Sequence, residues 1–190
     1  MFQRSILLVV FCALITGSCR KEQPAATAAP NQPVYFSIKD FIRDQWKTFH
    51  GQPILITRYT TLEGNTDSAT LSALNMQWSK LFKIFYETDI SDPKFLGQYD
   101  FETFDEGLTQ TRNFIYTART PELYTQKLQI AADLVTRKIR TIYIETSKQS
   151  FWNTRSQKLL YAPMKVLMIH ETNDPLIGSV KDLNIEYKFM

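Results

Sequence analysis

Leu183-Asn184-Ile185-Glu186-Tyr187-Lys188-Phe189, close to the C-terminus, is the stretch whose reading decides the fold class. Apolar and polar residues alternate with a period of two. In an extended chain Leu183, Ile185, Tyr187 and Phe189 therefore line one face, and Asn184, Glu186 and Lys188 the other. This is the pattern of a strand with one buried side. Working back through the chain, residues 113–119, 123–132, 138–146, 157–161 and 164–171 are also β-rich, and short polar turns separate them. Connections this short have no room for crossover helices, so an antiparallel meander is expected. Pro163, which has no amide proton to give, is expected at an edge or a bulge.

The period changes upstream of residue 113. Ile38, Phe41, Ile42, Trp46 and Phe49 recur at helical spacing, Ser37 is placed to cap them with Asp40 three residues on, and Gly51 and Pro53 close the run. A helix over 38–50 follows. Residues 54–62 are β-rich, Glu63-Gly64-Asn65 is a turn, and 67–71 is a short return strand. A second amphipathic helix gathers Leu74, Trp78, Leu81, Phe82 and Phe85 on one face and ends near Thr88. Residues 94–107 read as a loop. The expected architecture is α+β: two amphipathic helices packed on an antiparallel β-meander of about six to eight strands.

The N-terminus carries a different kind of signal. After Arg4, residues 5–15 are almost wholly apolar and give way to Thr16, Gly17, Ser18 and Cys19. The apolar run is about half the roughly 20 residues that a membrane span needs, and its layout is that of a cleaved signal peptide. The stretch Leu14-Ile15-Thr16-Gly17-Ser18-Cys19 resembles the lipobox of bacterial lipoproteins, with Thr16 where that family most often has Leu. The resemblance implies cleavage before Cys19 and acylation of Cys19, which ties the chain to a lipid bilayer. Arg20 after the cysteine implies sorting to the outer membrane of a Gram-negative envelope. The expected organisation is a signal peptide over 1–18, a lipidated cysteine and disordered tether over 19–33, and a globular domain over 34–190. The tether holds Pro24, Pro30 and Pro33 among small and polar residues and no large apolar side chain. Fully extended it reaches on the order of 40 Å.

Composition narrows the partners. The formal net charge is +3, too close to neutral for a nucleic-acid-binding surface. The two cysteines are Cys12 and Cys19, and both are spent on the leader and the anchor if processing follows the lipoprotein pattern, so no disulfide holds the domain. Aromatic residues reach 13%, in keeping with a wide sheet face to bury.

No catalytic constellation stands out. His50 and His170 have no third or fourth ligand for zinc, so no metal is expected, and no serine sits in a nucleophile elbow. No cofactor is expected. Asp100, Glu102, Asp105 and Glu106 form the densest acidic cluster, a candidate cation loop or, more simply, a solvated one. Arg137, Lys138 and Arg140 crowd a turn as a solvated basic face. Phe151 and Trp152 lie between two strands, where a turn does not require aromatics. With Tyr161 they are the candidate binding residues, unless the pair folds back over the core.

Segments 46–49, 88–97 and 159–189 are similar to those of uncharacterised lipoproteins of Gram-negative envelopes, a resemblance that implies a location and no activity. The function expected is a non-catalytic, membrane-anchored module that presents its sheet or hairpin tips to an envelope protein or a glycan. Two other readings make distinct demands. A carrier of an apolar ligand needs a large cavity beneath the helices, and an enzyme acting on envelope polymers would work through the acidic segment 100–106.

Overall fold

A computed structural model describes residues 35–190. The expected signal peptide, Cys19 and the expected tether lie outside the described residues. Ser37 opens helix α1 (Ile38–Phe49): its Oγ accepts from the Asp40 amide at 3.1 Å and donates to the Asp89 carboxylate at 3.0 Å. Asp89 also accepts from the Lys39 amide at 2.8 Å, so a carboxylate sits on the positive end of the helix. His50 closes α1, its ring edge-on to Trp46. Strands β1 (Leu55–Leu62) and β2 (Asn65–Ser72) form a hairpin turned by Glu63 and Gly64. The second helical segment is shorter than expected. Leu74 is an exposed residue of a 3-10 turn, Ala73–Asn75, and α2 runs over Trp78–Tyr86. The Trp78 indole N–H donates to the Ala73 carbonyl at 2.7 Å, which locks the turn onto the helix start.

Seven strands follow: β3 (Tyr99–Glu106), β4 (Thr111–Ala118), β5 (Thr125–Asp133), β6 (Ile139–Gln149), β7 (Asn153–Ala162), β8 (Val166–Pro175) and β9 (Lys181–Phe189). Every pairing is antiparallel, and the nine strands form one sheet in the order β2-β1-β9-β8-β7-β6-β5-β4-β3. The meander is therefore as expected from β4 onward, while the first hairpin joins it by pairing β1 with the last strand. The expected count of six to eight falls short because residues 99–106 form a strand and not a loop. Three acidic residues of β3, Asp100, Glu102 and Glu106, share one face, which makes the segment polar enough to read as a loop and well suited to an edge. Pro163 is neither at an edge nor in a bulge. It occupies the tight turn between β7 and β8, closed by Lys165 N to Ala162 O at 3.0 Å, where its fixed φ suits the turn and no ladder bond is lost.

Both helices lie on the same face of the sheet. Ile38 and Ile42 of α1 and Phe82 and Phe85 of α2 pack onto Leu128, Ile130, Ile142, Ile144, Leu159, Tyr161, Leu167 and Ile169. Each such side chain taken out of water contributes about 1.5–3 kcal/mol. Trp78 stacks between Phe82 and Phe189 and joins the helices to the last strand. Between the helices, β7 and β9 the remaining cavity is about 20 Å³, room for a single water.

Candidate functional site

The turn of the β6–β7 hairpin carries the most exposed aromatic side chains among the described residues. Ser150 and Asn153 fasten it: the Ser150 amide donates to the Asn153 carbonyl at 2.9 Å and its hydroxyl to Asn153 Oδ1 at 2.6 Å. Asn153 Nδ2 reaches across to Asn173 Oδ1 at 2.8 Å, and the Trp152 carbonyl accepts from the Leu176 amide at 2.8 Å. The hairpin tip and the β8–β9 loop are thus one unit. The side chains it presents are apolar. Phe151 is 79% exposed, Trp152 68% and Ile177 84%, with Leu176 and Val180 also open to solvent. Phe151 and Trp152 meet edge to face at 4.8 Å, so they brace each other without folding back over the core.

On the helix-facing side of the same hairpin a polar cleft of about 670 Å³ opens between the end of α2, the β4–β5 loop and strands β6 and β7. Its floor is a chain of hydrogen bonds. The Tyr124 hydroxyl donates to Gln157 Oε1 at 3.2 Å, Gln157 Nε2 donates to Glu171 Oε2 at 2.8 Å, and Arg155 donates to the same oxygen at 2.5 Å. Partial burial works to raise the Glu171 pKa, but the bonds from Arg155 and Gln157 outweigh it and hold the carboxyl below its usual range. Thr146, only 3% exposed, lines the cleft beside Gln157, and its Oγ1 finds no protein partner among the described residues. Glu87, Glu122 and Lys148 stand around the opening. Nothing here pairs a nucleophile with a base. The cleft can recognise a polar molecule by hydrogen bonds.

The other candidates fall elsewhere. Tyr161 is in the core at 4% exposure, packed on Phe41 and Phe85, and burial raises its phenol pKa well above the ordinary value. It is not joined to Phe151 and Trp152. The acidic residues lie on edge strand β3, where alternation sends Asp100, Glu102 and Glu106 to the outer face and Asp105 to the helix-facing one. Asp105 is held in a two-pronged pair by Arg112, at 2.6 and 2.8 Å, and Asp100 is paired with Arg119 at 2.8 Å. Arginine guanidinium groups thus balance two of the four carboxylates. Among the described residues no group of three or more His, Cys, Asp or Glu side chains is arranged to hold a metal. In the basic turn, Arg140 is engaged by Asp133, which its neighbouring backbone amides and that guanidinium hold well below the usual carboxylate range.

The cleft escapes sequence reasoning, yet it leaves a trace there. Thr125, Thr146 and Gln157 interrupt inward-facing positions that are otherwise apolar, and the register places all three in one row across β5, β6 and β7. Comparison with family models, curated proteins and solved structures finds no match to this chain.

Proposed function

We propose that this chain is a lipid-anchored docking module of a bacterial envelope, held through Cys19 and engaging a partner protein with the apolar end around Trp152. The observation that carries the reading is the exposure of Phe151 and Trp152 together with Leu176, Ile177 and Val180 on two loops hydrogen-bonded to each other. Large apolar side chains grouped in solvent mark contact surfaces, and Trp is the residue on which contact energy most often concentrates. A benzophenone amino acid placed at position 152 of the full chain should give one discrete crosslinked adduct in intact cells, and the same probe at Ser68 none. If position 152 yields no adduct, docking through this end fails. Mass spectrometry of the exported protein tests the anchor separately, with an acylated Cys19 at the new N-terminus as the expected product.

The cleft supports a second reading, in which the partner is a glycan. Its hydrogen-bonding floor and the Tyr124 ring suit a polyhydroxylated ligand of one or two sugar units. Chemical-shift changes confined to the Tyr124–Gln157 region on adding envelope oligosaccharides would favour it.

A further inference from the structure

A second groove, of about 430 Å³, runs between α2 and the strands on its other flank. Leu71, Leu81, Ile84, Ile169 and Tyr187 give it an apolar wall. Two cations face it, Arg58 from β1 and Lys80 from α2, and no carboxylate lines it. Arg58 is an unusual occupant of this side of the sheet. The β1 register puts it in the row of Ala69 and Tyr187, on the helix-facing side where Ile56 is fully buried. Its Nε is buried and has no hydrogen-bond partner, and the guanidinium makes no ion pair among the described residues. Asp67, diagonal to it across the β1–β2 pair, makes no ion pair with it.

An Nε–H shut away from water with no acceptor is costly even though the rest of the Arg58 side chain is partly exposed. Lys80, itself exposed, lines the same groove and brings a second positive charge to it. An anion with planar or tetrahedral oxygens in the groove relieves that cost, since Arg58 then donates to it directly and Lys80 adds a point charge. The apolar wall defines the rest of the ligand. We infer that this groove binds a small anionic amphiphile, a carboxylate or phosphate head on Arg58 and Lys80 with a hydrocarbon body along Leu71, Leu81 and Ile84. This inference is independent of the docking reading, because it uses neither Cys19 nor the Trp152 loops.

Photoaffinity labelling of the purified full chain tests it. The probes are octanoic acid, octyl phosphate and octanol, each carrying a diazirine on the alkyl chain. The anionic probes should label peptides of α2 and β1–β2 about tenfold more than octanol, in line with the strength of a charge-assisted hydrogen bond. Octanoate ahead of octyl phosphate would point to free fatty acids, and the reverse order to phospholipid-derived ligands. Arg58→Met should abolish the preference for anionic probes and, because it removes a buried donor that has no acceptor, should not lower the melting temperature. Lys80→Gln, on the exposed side of α2, should weaken labelling while leaving the fold untouched. Equal labelling by octanol, or anionic labelling that survives Arg58→Met, overturns the proposal.

Discussion

Glu63 and Gly64 turn the first hairpin with φ of 50° and 86°, both left-handed. Two positive φ angles between directly paired strands match the twist of a tight hairpin, and only Gly64 takes that conformation without strain. Gly64→Ala should lower stability by about 1–2 kcal/mol, read from a shift in the urea midpoint. Tyr99 carries a prediction of pH dependence. Burial first, and the neighbouring Tyr35 second, raise its pKa from 10.0 to about 12, while its hydroxyl donates to the Thr125 carbonyl at 3.0 Å. The folded state holds this proton more tightly than the unfolded chain does. The contribution is therefore fully present below pH 10 and lost as pH climbs to about 12. Its loss weakens the fold by roughly 2–3 kcal/mol. Unfolding midpoints should fall across that window, and Tyr99→Phe should flatten part of the fall while costing about 1 kcal/mol at neutral pH through the lost hydrogen bond.

Among the elements, α1 is the most legible. Its apolar spacing, cap and stop all agree, and Ser37 does accept from the Asp40 amide. Ser37→Ala should cost about 1 kcal/mol by thermal or chemical unfolding. The second helix reads too long in the sequence because Leu74 falls in phase with Trp78, although its side chain points to solvent. Strand β3 escapes the sequence for a physical reason. Tyr99 and Phe101 alternate correctly, but Phe104 falls on the face of the acids, so the period breaks after Thr103. The acids protect an otherwise open edge. Replacing Glu102 and Glu106 with valine should turn β3 into a sticky edge, seen as concentration-dependent association by light scattering. Of the candidate site, the Phe151–Trp152 tip is visible in sequence because aromatics serve no purpose in a turn, whereas Tyr161, two residues beyond Leu159 on the same strand face, follows the core.

Across the molecule, Phe85 ties the layers together. It is fully buried, it packs on Tyr161, and it sits where α2 meets the centre of the sheet. Phe85→Ala should cost about 3–5 kcal/mol, with the far-ultraviolet and near-ultraviolet circular dichroism transitions still coinciding, because both helices and the sheet share one core. The sequence by itself determined the strands and helices whose side chains repeat with a clean period, and it determined antiparallel pairing, since short turns permit nothing else. Only the tertiary structure decided that β1 closes against β9, that Thr146 and Gln157 meet Tyr124 in a cleft, and that Arg58 faces an apolar groove. Periodicity is a property of neighbours along the chain. Those three outcomes depend on register between strands far apart in sequence, which is settled by how much apolar surface each arrangement buries as a whole.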